Sequence, residues 1–215
     1  MRATMPSKDV DEFFRRLSEI TPIPRGELYY KNEFTLTVAV VLSAQATDAG
    51  VNKATRKLFR LIDNPEKMVA LGEKKLQDYI KTIGLYRNKA KNVIALSKML
   101  IADFGGQVPK TRDELVRLPG VGRKTANVVL NIAFGQPTMA VDTHIFRISN
   151  RTGMAPGRNV EQVEKKLVRR IPQNWMLNAH HWLILHGRYV CKARKPDCHL
   201  CIVQELCKYP DKLLG

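Results

Sequence analysis

The sequence predicts an all-α protein. Apolar residues recur at three- and four-residue spacing along most of the chain, recognisable cap residues precede several of these runs, and no segment alternates as a partner strand must. Ser7 is read as the cap of a first helix with Val10, Phe13, Phe14 and Leu17 on one face. The Thr21-Pro22-Ile23-Pro24 stretch ends it, because a residue before proline is pushed out of the helical region. The run FTLTVAVVLS within residues 33–43 is apolar and β-branched, as a strand would be, but with no strand to pair with it reads as a buried helix. Thr47 opens the next run, to Phe59, and Asn64 with Pro65 supplies a cap followed by proline at the first helical position. Thr111-x-x-Glu114 and Asn159-x-x-Gln162 have capping-box spacing. Glycine turns between the runs bring the count to roughly ten short helices.

A length of 215 residues allows one large domain or two small ones, and 44% hydrophobic residues exclude global disorder. Lys and Arg total 36 against 20 Asp and Glu, a formal charge of +16. Such an excess on a folded chain calls for a polyanionic partner, nucleic acid before an anionic membrane, since no basic amphipathic helix dominates. The first residues lack the apolar core of a secretory signal, and the longest apolar run, near residues 38–42, is far short of a membrane span. The expected location is therefore intracellular: cytoplasmic and associated with the nucleoid, where thiols stay reduced.

Leu118-Pro119-Gly120-Val121-Gly122-Arg123-Lys124 lies between two helical runs. Pro119 is expected to end the first, the glycines to permit positive φ and close backbone approach, and Val121 to pack inward. The second helix starts near Arg123, so its unpaired N–H groups and positive dipole end face whatever covers the turn, and a DNA phosphate is the expected ligand. This is the helix-hairpin-helix pattern of many DNA-binding proteins. Phosphate contacts set register and carry no base information, so the motif predicts binding rather than specificity. A fainter echo stands upstream: Gly84-Leu85-Tyr86-Arg87 with Lys89 and Asn92 repeats Gly120-Val121-Gly122-Arg123 with Lys124 and Asn127, one residue being inserted.

Lys124 falls in the first turn of that second helix, beside Arg123, where dipole and neighbour both disfavour the ammonium form. A lysine so placed is a candidate nucleophile; the plainer role is a phosphate counter-charge. Asp142 adds to the first reading. A helix over residues 123–134 is about 18 Å long, and the connector 135–141 is long enough to return along it. Asp142 can then stand beside Lys124 as proton acceptor and charge stabiliser, or simply cap a helix over residues 143–151.

The only four cysteines, Cys191, Cys198, Cys201 and Cys207, crowd the last 25 residues with spacing C-x6-C-x2-C-x5-C. One cage of four thiolates suits zinc or an iron–sulfur cluster. The spacing departs from the ferredoxin run and contains a single C-x2-C knuckle, so it does not choose between them. Lys192, Arg194 and Lys195, between the first two cysteines, form either a rigid phosphate-binding surface or a solvated offset to the thiolates. His180, His181 and His186 lie in an apolar helical stretch and read as packing residues.

LPGVGRKTANVVL, AVDTHIFRISNR, LSAQATD, TIGLY and the cysteine spacing together resemble the endonuclease III family, DNA base-excision repair glycosylases with abasic-site lyase activity, over nearly the whole chain. The resemblance implies a 4Fe–4S cluster on the four cysteines, Lys124 as Schiff-base nucleophile, and Asp142 as its carboxylate. It implies that Gln45 and Leu85 enter the duplex; from the residues alone they read as a turn and a core leucine. The hairpin residues Gly120, Val121, Gly122 and Arg123, with Lys192, Arg194 and Lys195, would hold phosphates. The implied architecture is two helical domains with a cleft between them: residues 26–136, six helices including the hairpin, and residues 1–25 with 137–215, the cluster domain. The implied reaction removes oxidised pyrimidines from duplex DNA and cleaves the abasic site by β-elimination, in a monomer acting on damaged double-stranded DNA. Two other readings stand beside it. An adenine-mismatch glycosylase shares hairpin and cluster but usually lacks the lysine and carries a further C-terminal domain. A non-enzymatic DNA-binding protein with a structural metal explains charge, hairpin and cysteines while leaving Lys124 and Asp142 coincidental.

Overall fold

The structure is a computed structural model and describes residues 4–214. Among these residues it is all-helical, with eleven α-helices, one 3-10 turn and no strand. The chain divides into two compact units, Glu27–Gln136 and the pair of segments Met1–Gly26 and Pro137–Gly215.

The unit Glu27–Gln136 is built on α2 (Glu33–Leu42), buried at nine of its ten residues. The β-branched run is thus helical, as its lack of a partner strand required. Asn32 and Thr35 close a reciprocal capping box at its start, and the Thr37 hydroxyl bonds back to the Glu33 carbonyl at 2.8 Å, so the polar atoms of an all-round buried helix are satisfied internally. Around it lie α3 (Asp48–Leu61), α4 (Pro65–Leu71), α5 (Glu73–Ile80), α6 (Tyr86–Phe104), the single turn α7 (Arg112–Leu115) and α8 (Arg123–Phe134). The side chains of Thr47, Asn64 and Thr111 each accept a first-turn N–H, as their positions predicted. Leu36, Val38, Leu58, Phe59, Leu96 and Val129 are among the buried core residues.

The second unit contains α1 (Ser7–Ile20), α9 (Thr143–Thr152), α10 (Val160–Arg170) and α11 (Gln173–Tyr189), followed by a tail with one 3-10 turn, Cys198–Leu200. Val10, Phe13, Phe14 and Leu17 of α1 are buried, as the periodicity required. Phe14 lies 6.2 Å from Trp182 of α11, ring to ring, and the Trp182 indole N–H donates to the Thr21 carbonyl at 2.8 Å. Ser7 does not cap: the helix already includes it, and Pro6 holds the N-cap position without a side-chain bond. Proline fixes φ near the value needed to enter a helix, which moves the start one residue earlier. Asn159 caps α10 through the Gln162 N–H at 2.9 Å, as expected. Among the described residues no helix is long and apolar enough to cross a membrane.

Candidate nucleic-acid interface and iron–sulfur site

In the hairpin, Gly120 adopts φ +81°, and a Cβ there would come within 3.1 Å of the Asn92 side chain and 3.2 Å of Val41. Both the dihedral and the close approach require glycine. Gly122 differs from expectation: its φ is −92°, in extended backbone, and a Cβ would meet nothing within 4 Å. Its lack of a side chain therefore serves the open side of the turn. Pro119 does not end a helix either. The single turn α7 has already closed at Leu115, with Val116 at its C-cap, and the Leu118 N–H bonds to Leu115 in the turn that follows. Val121 is buried, as predicted, and its N–H bonds to the Leu118 carbonyl at 3.0 Å. Helix α8 then starts at Arg123 with no side-chain cap. Arg123 and Lys124 in its first turn are exposed, and a helix start without a side-chain cap beside exposed cationic residues is an arrangement that binds anions.

Three non-glycine residues take positive φ among those described: Gln45 (53°), Leu85 (59°) and Lys195 (47°). Each costs about 1–2 kcal/mol relative to ordinary backbone, and such strain concentrates at functional sites. All three were singled out as DNA contacts. Leu85 is 61% exposed, which overturns the core-leucine reading: its αL conformation at the N-cap of α6 turns the side chain out of the core. Gln45 is exposed too, and a Cβ on Gly84 would sit 4.0 Å from its carbonyl, so the two loops are neighbours.

Asp142 is the N-cap of α9 and accepts the Ile145 N–H on Oδ1 at 2.8 Å. The capping role is real, and a carboxylate retains its second oxygen for other work. Lys124 belongs to one compact unit and Asp142 to the other.

The four thiols line one pocket with Arg151, His186, Val190, Pro196, Val203 and Tyr209. Among the described residues no three His, Cys, Asp or Glu side chains converge as a single ion requires. A cluster binds each thiolate at a separate iron, so thiols that ring a cavity suit it without meeting at a point. Burial, reinforced by the neighbouring thiols, pushes Cys201 up to about 11, and burial raises Cys207 as well. Sulfurs in such surroundings ionise together when a cationic centre holds them. The donor set fits.

Two arginines on α9, which the sequence reading passed over, hold the cysteine loop. Arg147 donates to the Cys191 and Gly187 carbonyls at 3.0 and 2.7 Å. Arg151 donates to the Lys192 and Ala193 carbonyls at 2.6 and 2.9 Å and approaches Cys191 Sγ at 3.6 Å. It also stacks over Tyr209, 5.0 Å from the ring centre. Their i, i+4 spacing places both on one helix face, but partners 40 or more residues away leave no local signal. In the loop itself Lys192 forms a 2.7 Å ion pair with Asp197, which offsets part of its charge. Arg194 and Lys195 are exposed.

The HhH-GPD superfamily base excision DNA repair protein family matches residues 38–173, and the iron-sulfur binding domain of endonuclease III matches residues 191–207, a span that takes in all four cysteines. The chain is 57% identical to endonuclease III of Rickettsia felis over 95% of its length and 96% of that protein's. It is 55% identical to endonuclease III of Escherichia coli strain K12, over 94% and 96%. Among solved structures, a trapped endonuclease III–DNA covalent intermediate in an estranged-adenine complex superposes with a TM-score of 0.88 at 45% identity, covering 95% of this chain and 96% of that one. The chain belongs to the endonuclease III family of the HhH-GPD superfamily, as a DNA-binding base-excision repair enzyme, a DNA glycosylase with abasic-site lyase activity, whose four C-terminal cysteines carry a 4Fe–4S cluster.

Proposed function

We propose that this enzyme removes oxidised pyrimidines from duplex DNA and cleaves the resulting abasic site through a Schiff base on Lys124. The observation that carries this reading is an exposed amine in the first turn of α8, directly after the hairpin turn and beside uncapped helix N–H groups. A phosphate held by those groups and by the hairpin would bring the sugar of an extruded nucleotide to that amine. The neutral amine attacks C1′, and the base departs with the glycosidic electron pair and a proton. The C1′–O4′ bond then breaks, O4′ takes a proton and the opened sugar is left as an iminium, which acidifies the C2′ proton; removal of that proton drives β-elimination, breaking the C3′–O bond and releasing the 3′ phosphate. Hydrolysis of the imine restores the lysine.

Asp142 serves this sequence as the carboxylate that accepts a proton and stabilises the developing cation. Gln45 and Leu85, exposed on adjoining strained loops, enter the stack where the damaged nucleotide leaves it. Arg194 and Lys195 add phosphate contacts from the cluster loop. The enzyme acts as a monomer on damaged or abasic duplex, in the cytoplasm and on the nucleoid.

The test is borohydride trapping on duplexes carrying thymine glycol or an abasic site. The wild type should form a covalent adduct and Lys124→Ala none. Equal adduct from Lys124→Ala would overturn the assignment. Asparagine caps helices as well as aspartate does, so Asp142→Asn should preserve folding and DNA affinity while lowering turnover by a hundredfold or more, in the range typical of a lost acid–base group. Unchanged turnover would leave Asp142 as a cap alone.

A further inference from the structure

Lys89 is buried, with 5% of its surface exposed, and its Nζ has no hydrogen-bond partner. Burial alone lowers its pKa from the usual lysine range. An amine buried without a partner costs stability, a cost that a ligand completing it would relieve.

The position of Lys89 indicates what that is. It lies in the first turns of α6, its N–H bonded to the Leu85 carbonyl at 3.0 Å. Helical side chains lean towards the N-terminus, so Lys89 covers the turn that begins at Leu85. One turn further along the same face is Asn92, whose side chain lies 3.1 Å from where a Gly120 Cβ would be. Lys89 therefore stands between the strained Gln45/Leu85 edge and the hairpin, all within Glu27–Gln136. Helix α6 runs for 19 residues, starts without a side-chain cap and has no acidic residue in its first turn. In the last two respects it matches α8, and in the sequence echo Lys89 occupies the place of Lys124.

We propose that Lys89 is a further DNA-binding residue: with the uncapped start of α6 it forms a second phosphate site, which takes a backbone phosphate beside the Gln45/Leu85 edge. The proposal rests on the reading of that edge as a DNA contact. Its four-carbon stem lets the ammonium swing out from under the Leu85 turn when a phosphate arrives.

The experiment measures affinity for a duplex carrying a non-hydrolysable abasic analogue between 50 and 200 mM salt. The proteins are the wild type, Lys89→Met and Lys89→Gln. Loss of one phosphate contact should weaken binding by about tenfold and flatten the slope of log affinity against log salt by about 0.9. The melting temperature of free Lys89→Met should hold or rise, because an unpaired amine has gone. An unchanged slope and affinity in either variant, alongside a salt-dependent wild type, would overturn the role of Lys89 and leave the edge reading intact. If one substitution fails to fold, the other decides by the same slope. Weaker binding with an unchanged slope would also overturn the phosphate assignment. A wild type whose binding ignores Leu85→Ala would instead sink the edge reading itself.

Discussion

The two compact units are stabilised by different means. Glu27–Gln136 is held by continuous apolar packing around a helix buried at nine of ten positions. The other unit has a comparable helical core, but its tail, residues 191–214, adds only Pro196 and Val203 to the buried set and forms only a three-residue 3-10 turn. Ordering a backbone costs roughly 1–2 kcal/mol per residue, which so little burial cannot offset. The tail is kept in place by ligation and by side chains reaching from α9 and α1. One region folds by excluding water; the other ends in a surface whose shape depends on four sulfurs and their ligand.

The largest effect should come from breaking that ligation. Cys201→Ser is expected to abolish the visible absorption of the bound cluster and expose residues 191–214 to protease, with Glu27–Gln136 still resistant. DNA affinity should fall by more than tenfold as the cationic loop loses its shape. A cluster-free protein whose tail stayed protected would erase the contrast between the units.

Next in size is Arg151→Met. Three charge-assisted contacts to the cysteine loop disappear, two of them to backbone carbonyls, at about 1.5–3 kcal/mol for each hydrogen bond left unmade. The cluster should be lost to a chelator many times faster, followed by the decay of visible absorbance. Lysine cannot reproduce the fork, so Arg151→Lys should recover little of the loss. Equal decay rates for wild type and Arg151→Met would show that the thiolates alone hold the loop.

The apolar unit can be probed at its hairpin. Gly120→Ala forces an L-residue into φ +81° against Asn92 and Val41 and should destabilise by about 2 kcal/mol, read from denaturant unfolding. Gly122→Ala meets open space at φ −92°, so stability should stay within about 0.5 kcal/mol while DNA affinity drops, because the added methyl faces the phosphate. Equal stability losses would mean that both glycines serve the fold.

Much of this was legible from local sequence because its causes are local. Asn64, Thr111 and Asn159 announce helix starts through side chains that reach an N–H three residues on. The hairpin and the cysteines announce themselves by spacing. Other features have causes outside the local window. Leucine at position 85 carries no mark of left-handed backbone, so composition placed it in the core and the fold placed it outside. Lys89 carries no local mark of burial, yet the fold buries it. Arg147 and Arg151 look like ordinary surface charges on α9 until the tail returns to meet them. Pro6 displaced the expected Ser7 cap because fixed φ started the helix without one.

The smallest effect concerns the tie from α1 to the tail. Arg16 donates to the Ile202 carbonyl at 2.8 Å and pairs with Glu205 and with Glu12, the latter at 2.7 Å. Arg15 and then Arg16 hold the Glu12 carboxyl down at about 2, from an ordinary 4.5. Because the folded value is the lower one, the ionised carboxylate contributes fully above 4.5, and the contribution fades as pH falls through about 2. Arg15 and Glu205 are exposed, and Glu12 and Arg16 are still open enough for solvent to screen the pairs, so the effect is slight. Wild type and Glu12→Gln should differ by only a degree or two in melting temperature at pH 7 and 5, and the gap should close between 4.5 and 2. Loss of the cluster in acid affects both proteins alike and cancels in the difference. A gap that persisted at pH 2 would mean that Glu12 acts through packing, and a gap absent at pH 7 would mean that the Ile202 contact and the cluster hold the tail without it.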